Sequence, residues 1–182
     1  HVGVSIGQDG PSQMALEDIA SIRAVHGSTV LYPSDANQTA KLVPQMADRG
    51  GVVYMRTTRE ATPVIYSPDE EFTIGGSNLI YSSDEDQITI VTAGITVHEA
   101  IKAIGKLESD GIKVRLIDMY SIKPIDRNTL EEAASVTDYF ITAEDHWSEG
   151  GLGDAVVDVF ANNDLKPRIY KLAVSEIPVS GT

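Results

Sequence analysis

Apolar positions along this chain alternate between helical spacing and short continuous runs. Met14, Leu16, Ile19, Ala20 and Ile22 recur at roughly helical spacing, which predicts a helix opened by Ser12 or Gln13 and running to about Val25. Ser28 to Tyr32 reads as a short buried strand. Pro33-Ser34-Asp35 breaks the chain before a capped helix with Ala40, Leu42, Val43 and Met46 inward and a kink at Pro44. Gly50-Gly51 stops that helix, and Val52 to Met55 supplies the next strand. Helix, strand, helix, strand is the rhythm of a parallel α/β layer.

From Thr58 to Asp86 the pattern loosens. Pro63, Pro68, Asp69-Glu70-Glu71, Gly75-Gly76 and Ser82-Ser83-Asp84 punctuate short apolar pieces, which predicts a linker with one hairpin. A second α/β unit opens with strand Ile88 to Val91, and Thr96-Val97-His98-Glu99 matches a capping box for a helix to about Leu107. Strand Lys113 to Asp118, a helix capped by Asp126 through Ala134, strand Tyr139 to Ala143, helix Gly153 to Phe160 and strand Arg168 to Leu172 complete it. The expected fold class is α/β in two bodies, residues 1–58 and 79–182, joined by a linker at 59–78. The first body offers only two convincing strands, too few for a complete doubly wound domain, so an upstream part is expected.

Composition narrows the partners. The 182 residues are 42% hydrophobic and 23% charged, ordinary globular material, with a formal net charge of −13. That charge, with a pI near 4.5, argues against an electrostatic grip on nucleic acid or on anionic membranes. An anionic substrate needs a local cationic patch. With no cysteine, neither a disulfide framework nor a thiolate metal site is available. No run approaches the ~20 apolar residues of a membrane helix, and no leader-like segment precedes the globular pattern, so a soluble protein is expected. Because the chain opens at His1 and stops at Thr182 inside recognisable patterns, it reads as a fragment.

The chemistry-bearing segment is His1 to Gln13, HVGVSIGQDGPSQ, with three glycines, one proline and six hydrogen-bonding side chains in one non-periodic stretch. An imidazole (His1), a carboxylate (Asp9) and a primary amide (Gln13) each read a hydroxyl differently and together suit a polyhydroxylated ligand. Asp9 capping a simple turn is the alternative. Arg56 and Arg59 follow the strand ending at Met55, where the carboxyl edge of an α/β sheet places ligand contacts, and a guanidinium there can hold a phosphate through paired hydrogen bonds. A surface salt bridge is the competing role for either arginine.

Other polar residues read as structural. His146 lacks a second histidine at ligand spacing, His98 in a helix first turn is expected to be exposed, and His26 beside Gly27 reads as a helix C-terminal residue. Glu108 with Asp110, and Asp84-Glu85-Asp86, read as solvated charge. Glu149-Gly150-Gly151-Leu152-Gly153 imitates a phosphate cradle but lacks a lysine and Walker spacing, so it is read as a tight turn that lets a helix pack on its sheet. No metal ligands are assigned.

Taken in order, HVGVSIGQDGPSQMALEDIASIRA, TVLYPSDANQT, VVYMRTTRE, TVHEAIKAIGKL, IKPIDRNTLEEAA and AEDHWSEGGLGDAV resemble the second half of transketolase, the thiamine diphosphate enzyme of the pentose phosphate pathway. The resemblance implies the rear of a thiamine diphosphate-binding (pyrimidine) domain followed by a transketolase C-terminal-like α/β/α domain with a mostly parallel sheet. It also implies transfer of a two-carbon ketol unit from a ketose phosphate to an aldose phosphate. His1 then corresponds to a catalytic histidine that contacts the sugar, Asp9 to the reader of a donor hydroxyl, Arg59 to the phosphate-binding arginine, and Gln13 to a position near the cofactor's aminopyrimidine. Gln13 places the chain nearer the glutamine branch of the family, while Gln8 stands where glutamate is more usual. The cofactor and Mg²⁺ are expected to be held mainly by parts outside this chain, leaving the fragment alone inactive. A cytoplasmic homodimer, or a heteromer with a separate N-terminal half, is implied. The alternatives are another thiamine diphosphate enzyme, such as a 2-oxo acid dehydrogenase β-type subunit or deoxyxylulose phosphate synthase, and a non-catalytic α/β assembly module.

Overall fold

A computed structural model describes residues 1–181. Two 3₁₀ turns, Val4–Asp9 and Pro11–Gln13, precede α1 (Asp18–Arg23), β1 (Thr29–Leu31), α2 (Ala36–Ala47) and β2 (Val53–Met55). β3 (Asn78–Tyr81), β4 (Ile88–Thr92), α3 (Ile95–Ser109), β5 (Val114–Asp118), β6 (Ser121–Lys123), α4 (Arg127–Val136), β7 (Tyr139–Trp147), α5 (Leu152–Phe160) and β8 (Arg168–Val174) follow. A five-stranded sheet has the order β3-β5-β4-β7-β8, parallel except for the antiparallel edge strand β3. A three-stranded sheet has the order β2-β1-β6, in which the late strand β6 runs antiparallel to β1.

β6 therefore ties the two halves of the sequence together through backbone hydrogen bonds. At three residues it is too short for periodicity to reveal. β3 likewise pairs with β5 rather than folding into the local hairpin that the linker pattern predicts. One apolar cluster joins the halves as well, with Ile19, Val30 and Tyr32 packed among Val91, Ile117, Met119, Phe140 and Val156.

Several expected elements shift for identifiable reasons. The helix foreseen from Ser12 or Gln13 begins only at Asp18, because Ala15 takes a positive φ of 46° and nearby carbonyls are used elsewhere. Met14 O accepts from Gly3 N–H, and Leu16 O from Trp147 N–H. α2 is capped by Asp35 as expected and runs unbroken through Pro44, but it turns Gln38 and Leu42 inward while Ala40 and Val43 face solvent. α3 has no capping box. Its N-cap is Gly94, and the Thr96 hydroxyl donates to Ala93 O. His98 is buried, not exposed, and its Nε2 donates to Ser34 O at 2.7 Å. Asp86, read as solvated, is also buried, pairing with Arg115 and accepting from Ser83 N–H. His26 is exposed beyond the end of α1, and Glu108 and Asp110 are exposed as expected.

The segment after β2 is pinned by buried acids. Asp35 accepts from the N–H groups of Gln38, Ile65 and Tyr66. Asp118, at the end of β5, accepts from Tyr66 Oη at 2.7 Å and Gln38 Nε2 at 3.0 Å, while its Oδ1 has no partner. Burial pushes the Asp118 carboxyl up to about 7. Across roughly pH 4 to 7 the folded chain thus keeps a proton that the unfolded chain releases, so this contribution to stability is full below about pH 4 and is lost as pH rises through 7. Asp118→Asn, which mimics the protonated group, is expected to flatten stability over that window and to raise it at pH 8, as read from urea unfolding midpoints at stepped pH.

Candidate functional site

The parallel core of the larger sheet reverses its winding at β4, which has β5 on one side and β7 on the other. In open α/β sheets, ligands bind in the crevice outside the strand carboxyl ends at such a point. β7 pairs with β4 only as far as Thr92↔Ala143, so Glu144, Asp145, His146 and Trp147 project past the end of β4 into that crevice. Here the crevice is filled from within. Tyr32 and Arg56, from the ends of β1 and β2, enter it, and Gly94 has a φ of 60° and no side chain because a Cβ there would overlap the Tyr32 ring.

Arg56 is fully buried. Its Nη1 donates to Asp145 Oδ1 at 2.6 Å and its Nη2 to Asp145 O at 3.0 Å, while Nε lies 3.1 Å from Asp18 Oδ2. The guanidinium stacks 4.7 Å from the centroid of the Tyr32 ring, whose hydroxyl donates to Asp145 Oδ2. Tyr54 Oη donates to Asp18 Oδ2 at 2.6 Å. Burial opposes the Arg56 charge, but Asp145 and Asp18 hold its pKa above the usual arginine value. Burial pushes Asp145 up, and Arg56 draws it back. Arg56 is therefore neither the phosphate contact nor the surface salt bridge that the sequence allows: both Nη atoms are committed inside the protein, and Nε faces Asp18 without a hydrogen-bond partner.

The neighbours of Asp145 extend the same junction. His146 Nδ1 donates to Trp147 O and its Nε2 accepts from Ala20 N–H, which fixes a neutral tautomer. Burial lowers its pKa, and the Arg56 charge adds to that. Trp147 Nε1 donates to Glu17. Glu144 accepts from the Leu152 and Gly153 N–H groups at the start of α5, so the apparent phosphate cradle holds the chain's own carboxylate. Burial still pushes Glu144 up to about 7.

On this junction sits the loop of candidate residues. Ile6, Met14 and Leu16 form a small core packed against Trp147 and Val174. Val2 N–H donates to Thr57 O, and Gly3, with a φ of 89°, leaves no room for a Cβ against Asp145 Oδ2. Gly7 and Gly10 also have positive φ, and the loop meets Ser180 and Gly181 there. Asp9 and Arg59 form a salt bridge and are both partly exposed. A cavity of about 200 Å³ lined by Ser5, Ile6, Gly7, Gln8, Arg59 and Glu60 lies beside them. His1 and Gln13 are exposed and make no side-chain hydrogen bond among the described residues. The structure thus brings Asp9 to Arg59, and shows no side-chain contact that draws His1 or Gln13 to that pair. Sequence reasoning did not find Asp145, whose role depends on burial against a residue distant in sequence.

No group of three or more His, Cys, Asp or Glu side chains suited to a metal ion occurs among the described residues. No described helix is long and apolar enough to cross a membrane.

Comparison with known proteins accounts for both halves. Residues 1–64 match the family model for the transketolase pyrimidine-binding domain, and residues 78–182 match that for the transketolase C-terminal domain. The chain belongs to the transketolase family. It is 48% identical over its whole length to transketolase-like protein 1 of Bos taurus and 44% to transketolase of Mus musculus, spanning 30% and 29% of their lengths. Among solved structures it resembles a split-gene transketolase described as an inactive beta4 tetramer, with a TM-score of 0.87, 38% identity, and coverage of 92% of this chain and 55% of that one. A Pichia stipitis transketolase mutant shares the fold, with a TM-score of 0.76 at 22% identity over all of this chain and 25% of that one. The mixed α/β architecture and the family resemblance read from the sequence both hold.

Arg56→Ala leaves Asp145 and Asp18 facing each other without their cation, and is expected to cost about 3–5 kcal/mol in chemical unfolding. Arg56→Lys is expected to recover only part of that loss, because an ammonium lacks the guanidinium's rigid fork of donors.

Proposed function

We propose that this chain forms the substrate-facing rear portion of a thiamine diphosphate-dependent transketolase of the pentose phosphate pathway, transferring a two-carbon ketol unit from a ketose phosphate to an aldose phosphate. The observation that carries the reading is the meeting of Asp9 with Arg59 beside a small polar cavity, in a chain whose two halves match transketolase domains. In this reading Arg59 receives the sugar phosphate and so supplies binding energy remote from the reacting carbon. Asp9 reads a donor hydroxyl, His1 orients the sugar and exchanges a proton with it, and the Gln13 amide meets the aminopyrimidine.

Bound thiamine diphosphate supplies the carbon nucleophile and the electron sink. The residues present do not fit the diphosphate-bound Mg²⁺, since among the described residues no cluster of acids or histidines converges on one point. In this proposal the metal is held mainly by parts of the enzyme outside this chain, and no step is derived through it. The relatives are more than three times as long as this chain, which supports the proposal that the fragment alone is inactive. Likeness to a split-gene transketolase tetramer supports an oligomeric or two-chain assembly. A homodimer and a cytoplasmic location remain part of the proposal.

The test is a ketol-transfer assay on the complete enzyme with thiamine diphosphate and Mg²⁺, using phosphorylated and unphosphorylated sugars. Arg59→Ala is expected to raise KM about tenfold to a hundredfold for phosphorylated sugars and little for unphosphorylated ones. Equal effects on both classes contradict the phosphate role. Asp9→Ala is expected to weaken discrimination at a donor hydroxyl with cofactor affinity nearly unchanged.

A further inference from the structure

We infer that Asp145, a residue of the second body with no place among the loop's own candidate groups, is a positioning residue that sets the geometry of the ketol-transfer site from the switch point of the larger sheet. The path is short and wholly buried at its start. Asp145 grips Arg56 through a side-chain bond of 2.6 Å and a backbone bond of 3.0 Å. Thr57, the next residue, accepts from Val2 N–H, one residue from His1, and Arg59 lies two residues farther along the same strand exit. The other carboxylate oxygen of Asp145 lies against Gly3, where a Cβ would overlap it, so the first turn of the loop is seated directly on this carboxylate. One side chain therefore fixes the roots of both segments that carry the candidate sugar ligands.

The surrounding contacts make this a rigid seat. Gly3 N–H donates to Met14 O, closing the loop into a unit that moves as a whole, and the Ile6, Met14 and Leu16 core presses that unit onto Trp147, two residues past Asp145. Tyr32 stops Asp145 from swinging by donating to Oδ2. Misplacing a binding group by about 1 Å can cost about a hundredfold in rate, so an error at this seat is transmitted to His1, Asp9 and Arg59 together.

The kinetic part of the test rests on the proposed ketol transfer, and the exchange part does not. In the complete enzyme, Asp145→Asn keeps the shape of the side chain and an oxygen for Arg56 but removes the charge. It is expected to lower kcat/KM for phosphorylated ketoses by about tenfold or more, with thiamine diphosphate affinity unchanged. Amide hydrogen exchange is expected to quicken at residues 2–14 and 57–59 while the strands of both sheets keep wild-type protection. A second variant, Arg56→Met with Asp145→Leu and Asp18→Asn, replaces the ionic cluster by neutral groups and guards against simple unfolding. It is expected to fold yet show the same kinetic and exchange defects. Wild-type kinetics and loop protection in that folded variant, or faster exchange spread evenly over both sheets, overturn the inference. If the unmodified enzyme transfers no ketol unit, the proposed function fails, and the exchange pattern alone still decides the role of Asp145.

Discussion

A buried arginine must find its counter-charges, and that requirement organises this molecule. Arg56 leaves β2 pointing away from solvent, and the partners that satisfy it, Asp145 and Asp18, come from β7 and from the start of α1. Burying such a group unpaired is prohibitive, so the two halves of the chain fold against each other or not well at all. What in other α/β sheets is a ligand crevice becomes a socket for the protein's own side chains. Each residue of Glu144-Asp145-His146-Trp147 then has its own partners to hold: the start of α5, Arg56 with Tyr32, the Ala20 N–H, and the Leu16 carbonyl with Glu17.

In a chain with 14 Lys and Arg against 27 Asp and Glu, cations are scarce, and many are spent on junctions. Lys123 donates to Arg23 O and Val25 O at the end of α1, Arg23 to Gly150 O, and Arg127 to Val159 O in α5. Two of these contacts, to Arg23 O and Val159 O, satisfy carbonyls that helix C-termini leave without intrahelical partners, and the others hold the turns after α1 and before α5. Arg59 differs. It is half exposed and paired with a surface carboxylate in a loop rich in groups that read hydroxyls. That contrast between the two arginines separates a structural cation from a candidate ligand three residues away.

Much of the fold was legible because its signals are local. Asp35 and Asp126 cap helices where the sequence places them, and the apolar runs at β1, β4 and β5 are strands. The losses share a physical cause, which is pairing across long sequence separation. β6 is three residues held by β1, His98 is buried by a carbonyl 64 residues away, and the α1 start is displaced by hydrogen bonds to Gly3 and Trp147. At the site, loop chemistry points to His1, Asp9 and Gln13, and the strand end points to Arg56 and Arg59 alike; only the family resemblance prefers Arg59. Periodicity says nothing of which arginine is buried, so Arg56 was read as exposed chemistry and Asp145 was not seen.

Arg56 and Asp145 act as one unit joining the halves, and a double-mutant cycle on unfolding free energy isolates their coupling. Arg56→Ala, Asp145→Ala and the pair, each unfolded in urea, give the coupling energy. A coupling of about 2 kcal/mol or more is expected, with the double variant far more stable than the sum of the single losses allows. Additive losses would show that the two residues contribute independently and that the junction is held by something else.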